Sequence, residues 1–278
     1  MRHSLATTFK NRPKGLRSET PLSDDQIRAV APSIFADGAH SSRSERYAYI
    51  PTSSVLQGLR NEGFAPFMVV QARTLDDGKR EHTKHMIRLR HASQINTTEA
   101  NEIILINSHD GTTSYQMFAG MLRFVCCNGL VCGENISDIR IPHKGNVVDR
   151  VIGGAFEVLD GFTRVVEERE AMGAAQLSPD EQTIFAEAAL SLKYDPESLT
   201  PPPITPAQLL RPRRVADVGP DAWTTMNRVQ ENMIQGGLVG RSATGQRTRT
   251  RAVTSIDTNI KLNRALWMLA DKMAKLKG

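Results

Sequence analysis

Residues 83–91 read Thr-Lys-His-Met-Ile-Arg-Leu-Arg-His (TKHMIRLRH), and their alternation decides the fold class. In an extended chain, successive side chains point to opposite faces of a sheet. Met86, Arg88 and Arg90 then share one face, and His85, Ile87, Leu89 and His91 the other. Upstream, FMVVQART (67–74) is rich in β-formers and runs into a polar turn, Asp76-Asp77-Gly78. Downstream, IILI (103–106) is a continuous apolar run of the kind a buried strand carries, closed by Asn107-Ser108-His109-Asp110-Gly111. Three strands in series, joined by short polar turns, predict an antiparallel meander.

The flanks are less regular; within the first 43 residues one short helix is expected from Ser23, with Asp24 and Asp25 in its first turn. Residues 47–50 (YAYI) form a short aromatic strand stopped by Pro51, and residues 55–61 a helical turn. Residues 113–133 fit two patterns. Met117, Met121 and Phe124 stand at helical spacing, while Asn128-Gly129 is a favoured hairpin turn. The expectation is a helix running into the cysteines, then a turn.

Beyond residue 146 the pattern is helical. Residues 147–172 read as one long amphipathic helix. Ser178 with Glu181 makes a capping box that starts a helix ending near 193. YDPESLTPPPITP (194–206) reads as a linker, since prolines so dense exclude helix and sheet. A helix over 223–235 stops at Gly236-Gly237. Residues 238–253 form a glycine and arginine loop, and Ser255 opens a last helix to about 275. The expected class is α+β: an antiparallel sheet packed against helices, with a helical C-terminal part. The expected division is a flexible basic arm (1–43), a β-rich core module (44–145), a helical segment (146–193), the Pro-rich linker (194–206) and a basic helical segment (207–278) packing on the core.

Composition sets limits. With 40 % hydrophobic residues in 278, a sizeable core is possible and disorder throughout is excluded. No apolar run approaches the roughly 18 residues of a membrane helix, so no membrane partner is expected. The first fifteen residues lack the apolar core of a secretory signal. Three clustered cysteines, Cys126, Cys127 and Cys132, do not form a disulfide framework and point to a reducing compartment. The net charge of +5 is uneven: residues 152–206 hold three basic and ten acidic side chains, residues 207–278 thirteen and five. Such a basic segment meets either a polyanion or the acidic segment beside it.

Four constellations could carry chemistry. The first is GGLVGRSATGQRTRTR (236–251), where glycines let backbone approach an anion and Arg241, Arg247, Arg249 and Arg251 supply forks suited to phosphate. It lacks the Gly-Lys-Ser/Thr of a Walker loop; the alternative is a solvated loop paired with acids of 157–187. The second is the sheet face bearing Arg88 and Arg90, with Lys84, which could track a single-stranded backbone or be no more than an exposed polar face. Aromatic content of 5 % argues against a broad stacking platform. The third, His109-Asp110-Gly111 near Tyr115, is a turn signature first and an acid–base pair second. The fourth joins the cysteines to His109 and His143; one loose Cys-x₄-Cys unit is too little for zinc, and buried inert cysteine is the plainer reading. Trp223 and Trp267 fall in helical patterns as core anchors. No cofactor, metal or catalytic signature is expected.

Six segments together resemble a known family: RYAYIPTSSVLQGLRNEGF (46–64), KHMIRLRH (84–91), EIILINSHDGTTSY (102–115), GMLRFVCCNGLV (120–131), DAWTTMNRVQENMIQGG (221–237) and KLNRALWMLADKM (261–273). They are similar to the domain-of-unknown-function family DUF932, uncharacterised proteins of plasmids, phages and prophages that include the YubP and YfjQ types. The resemblance implies a bacterial mobile element and a cytoplasmic location, and brings no catalytic residues. The resulting expectation is a nucleic-acid-binding protein, with single-stranded DNA binding or annealing by Lys84, Arg88, Arg90, Arg241, Arg247, Arg249 and Arg251. Neutralising about six phosphates gives a log–log salt slope of about −4. The alternatives are a protein-interaction module, such as an inhibitor of a host defence enzyme, and a Cys/His-dependent enzyme. A homo-oligomer is compatible with either binding reading.

Overall fold

The structure is a computed structural model. It describes residues 14–42, 49, 51–74, 76–95, 99–124, 128–132, 139–142, 146–195, 197–198 and 200–278. The chain divides into two compact units, Met1–Gly129 with Asn135–Phe162, and Leu130–Glu134 with Thr163–Gly278. The fold is α+β, as expected.

The first unit is built on antiparallel strands: β1 (Lys14–Arg17), β2 (Phe64–Gln71), β3 (His85–His91), β4 (Glu99–Asn107) and β5 (Tyr115–Arg123), each paired with the next. Strand β6 (Asn128–Val131) continues the order, and β7 (Ile139–Ile141) pairs with β5 at Tyr115–Met117. The meander over 67–106 therefore forms as predicted. Three helices accompany it: α1 (Asp24–Val30), α2 (Thr52–Asn61) and α3 (Val147–Asp160). A capping box at Ser23 starts α1, and Val55, Leu56 and Leu59 of α2 are buried. Helix α3 lies on β5, where Gly154 leaves room for Met117; a Cβ there would stand 2.4 Å from the methionine methyl.

Three expectations change here. Residues 115–123 are a strand, although Met117, Met121 and Phe124 suited a helix. Eight consecutive positions of β5 pair with β4 in register, and nearly all of β5 is buried. Ladder pairing and burial override the helical propensity of Met and Leu. Second, the stretch read as a flexible arm holds β1 and a 3₁₀ turn (Pro32–Phe35) besides the short helix expected from Ser23, which forms as α1, and Ile27 and Ile34 are fully buried. Residues 1–13 lie outside the described residues, as do residues 47, 48 and 50 of the expected aromatic strand. Third, the helix expected over 147–172 is two helices, α3 and α4 (Phe162–Ala174), divided at Gly161.

The second unit carries α4, α5 (Pro179–Lys193), α6 (Pro206–Leu209), α7 (Ala222–Gln235) and α8 (Ile256–Lys277). Between α7 and α8 the residues expected as a loop form a two-stranded ribbon, β8 (Val239–Arg241) with β9 (Arg247–Arg249). Trp223 and Trp267 are core anchors as expected. Their rings meet edge to face, 5.8 Å apart, and the Trp267 indole N–H donates to Glu168 at 2.8 Å. Helix α7 is buried on every side from Ala222 to Met233, and its polar residues are paired to suit: Arg214 bridges Glu231, and Gln230 donates to Asn263. Residues 203–204 of the expected linker belong to this unit's core: Ile204 is buried and the Pro203 carbonyl accepts from Arg241 N–H at 2.9 Å.

Candidate nucleic-acid interface

The ribbon owes its shape to three glycines. Gly236 ends α7 at φ +64°, and a Cβ there would stand 2.7 Å from the Arg251 backbone. Gly245 closes the turn at φ +79°, with its N–H donating to the Ser242 carbonyl at 2.9 Å. Gly240 lies against Pro203, whose carbonyl oxygen would be 1.8 Å from an added Cβ. That contact fixes which face of the ribbon is covered.

The register then places the arginines. Arg241 pairs with Arg247, Gly240 with Thr248 and Val239 with Arg249. Side chains alternate across a ribbon, so with the Gly240–Thr248 face turned to Pro203, Arg241, Arg247 and Arg249 share the opposite face. All three are exposed, as is Arg251, while the intervening Thr250 is buried and its backbone bonds to Gly237 and Leu238. Among the described residues no carboxylate lies within ion-pair distance of these four arginines. Two acids of the 157–187 segment have other partners: Glu181 pairs with Lys277, and Glu168 serves Arg164 and Trp267. Like charges directly opposed across strands repel, so the Arg241–Arg247 pair is a feature that stability alone does not favour.

The foot of the ribbon is clamped on two sides. Arg213 donates to the Gly236 carbonyl at 2.6 Å and to Gln235 and Asn232. Lys193, at the end of α5, donates to the Met233 carbonyl at 2.9 Å and the Arg251 carbonyl at 3.3 Å. Cations at the C-terminal carbonyls of α7 also complement its dipole. Burial lowers the pKa of Lys193.

The other predicted cations are elsewhere. Arg88 and Arg90 share a face of β3, as the alternation implies, but that face is buried. They are 2 % and 4 % exposed, and both bond Glu102 of β4 at 2.9 Å. Arg90 also stacks on the Phe67 ring at 4.1 Å. The expectation of an exposed cationic sheet is therefore corrected: a single carboxylate on the neighbouring strand draws both guanidinium groups inward. Lys84 precedes β3 and is half-buried. The sheet cations lie in the first unit and the ribbon in the second.

His109-Asp110-Gly111 forms the turn the sequence favoured. Asp110 accepts from the Thr112 N–H and hydroxyl, and Gly111 has φ +76°. His109 points inward to a polar cluster that sequence reasoning missed. Gln71 Oε1 can only accept, so the Ser33 hydroxyl donates to it at 2.9 Å. Ser33 Oγ must then accept from His85 Nδ1, also at 2.9 Å, which leaves Nε2 bare to accept the Thr52 hydroxyl proton at 2.9 Å. Thr52 Oγ1 in turn receives Asn107 Nδ2 at 3.0 Å and stands 3.1 Å from His109 Nε2. Burial, then the neighbouring His109, push the His85 pKa down to about 3. Ser33, Thr52, His85, Asn107, His109 and Tyr115 are all 0 % exposed, so the cluster ties α2 to β3 and β4 from inside.

Of the cysteines, Cys132 is buried. Cys126, Cys127 and His143 lie outside the described residues. Among those described, no group of His, Cys, Asp and Glu is arranged to hold a metal ion, and no helix is long and apolar enough to cross a membrane.

Residues 39–267 match the family described as Domain of unknown function (DUF932). The chain belongs to the DUF932 family. Two relatives from Escherichia coli (strain K12), UPF0380 protein YafZ and UPF0380 protein YfjQ, are each 52 % identical over 258 residues, covering 93 % of this chain and 93 % of the relative. No solved structure matches. The DUF932 match begins after β1 and α1, and takes in strands β2–β7, the ribbon and the first half of α8.

Proposed function

We propose that this DUF932 protein binds nucleic acid, single-stranded DNA in the first instance, through the arginine face of the β8–β9 ribbon. The activity would serve DNA metabolism of a mobile genetic element in the cytoplasm, without a cofactor. The observation that carries the reading is the opposed pair Arg241 and Arg247, exposed and, among the described residues, without a carboxylate partner, with Arg249 on the same face. A polyanion in contact with that face converts repulsion into charge-assisted hydrogen bonds. Neighbouring arginines on one strand are about 7 Å apart, so consecutive phosphates of an extended strand can each be met. With Arg88 and Arg90 buried, about four phosphates remain to be neutralised, and the expected salt slope falls to about −3. Photocrosslinking of a bromouracil-substituted single strand, followed by peptide mapping, tests the assignment. Adducts should fall in residues 236–253; adducts confined to the sheet would overturn it.

A protein-binding module aimed at a host enzyme is the second reading. Val215 and Val218 favour it: these apolar side chains at the turn Val215–Asp217 are 90 % and 60 % exposed. A complex pulled from host lysate by the wild type and lost with Val215→Asp and Val218→Asp would support it.

A further inference from the structure

Resting on the nucleic-acid reading above, we infer that Tyr194 is a binding residue, a stacking platform for one unpaired base at the Arg251 end of the arginine row. Four aromatic side chains belong to the second unit. Phe185 is fully buried, and Trp223 and Trp267 close on each other at 7 % and 1 % exposure. Tyr194 alone of the four is not buried. Residues 236–253 contain no aromatic at all, so the ribbon by itself offers phosphate contacts only, which do not separate a single strand from a duplex.

Position makes Tyr194 the complement to that row. It ends α5, with its N–H donating to the Leu190 carbonyl at 2.9 Å. The Lys193 ammonium is near both features, 3.3 Å from the Arg251 carbonyl and 5.9 Å from the Tyr194 ring centre. The same ammonium is anchored to the Met233 carbonyl, so one fixed cation links the Tyr194 ring to the backbone of Arg251, two residues past β9. A half-buried ring at the end of a helix, next to a cationic row, is the arrangement by which non-sequence-specific binders hold a strand: phosphates on cations and a base face on an aromatic. A duplex has its bases stacked on one another and cannot use the ring. Tyr194 thus supplies the single-strand preference that the sheet was first expected to supply.

The test is a cycle of two proteins and two strands: wild type and Tyr194→Ala, each titrated with labelled oligothymidylate and with the same strand made abasic. Stacking on one base predicts that Tyr194→Ala binds oligothymidylate about tenfold more weakly. It also predicts that both proteins bind the abasic strand equally, and that Tyr194→Phe binds like wild type. Equal binding of both strands by wild type, or equal weakening of both by Tyr194→Ala, would overturn the role of Tyr194 while leaving the ribbon reading intact. Failure of wild type to bind either strand would remove the nucleic-acid reading itself.

Discussion

Arg241 and Arg247 face each other across the β8–β9 ribbon, a cross-strand pair of like charge backed by the Pro203 carbonyl beneath Gly240. Removing one of them relieves repulsion in the free protein and takes a contact from the bound one. Arg247→Gln should therefore leave the unfolding free energy unchanged or slightly raised, by no more than about 0.5 kcal/mol, while weakening single-strand binding. Each such substitution should shallow the log–log salt slope by about 0.7, which titrations at several salt concentrations would measure.

Gly240→Ala tests the scaffold rather than the charge. Its methyl group would meet backbone, which cannot swing aside as a side chain can. The ribbon must lift from Pro203, and overpacking of this kind costs about 1–3 kcal/mol. Binding should fall although all four arginines remain. Binding equal to wild type would show that the ribbon's seat on Pro203 is immaterial.

Glu102 holds Arg88 and Arg90 inside the first unit, with its carboxylate 1 % exposed. Glu102→Ala leaves two buried cations facing each other, and loss of one member of such a group costs about 3–5 kcal/mol. Chemical denaturation should show that loss. The neutral triple change Arg88→Met, Arg90→Met and Glu102→Leu, which leaves none of the three charges buried, should in contrast leave single-strand affinity as it was.

The His85 network predicts an acid-sensitive first unit. A histidine held neutral by burial, its pKa pushed to about 3, lets the unfolded chain bind the proton first. The stability it contributes is complete above the ordinary histidine pKa of about 6.5 and is lost progressively as pH falls from there towards 3. Unfolding midpoints followed from pH 8 to pH 4.5 should decline. By proton NMR, His85 should show no titration across pH 5–8.

How much of this was legible in the sequence follows from range. Strands β2, β3 and β4 were readable because period-two alternation and apolar runs are local signals. Helices α5, α7 and α8 were readable from caps and glycine stops. Strand β5 was not, because Met117, Met121 and Phe124 satisfy a helix locally and only the ladder to β4 decides otherwise. The burial of Arg88 and Arg90 hung on Glu102, fourteen and twelve residues away on the next strand, a partner that alternation within β3 cannot reveal. In residues 238–253 the arginine-Thr alternation of 247–251 was a strand signal, masked by the flanking glycines. Tyr194 was hidden in a segment read as linker; its place beside Arg251 depends on Lys193 meeting a carbonyl fifty-eight residues on.

On the proposed reading, the exposed arginine ribbon carries nucleic-acid binding. Fluorescence anisotropy of a labelled single strand tests it most directly, with wild type and the fourfold variant Arg241→Gln, Arg247→Gln, Arg249→Gln, Arg251→Gln compared at low and moderate salt. Wild type should bind in a salt-sensitive way with a slope of about −3, and the variant should be folded but have lost nearly all of that affinity and slope. Equal binding by the two proteins, or none by wild type at low salt, would contradict it.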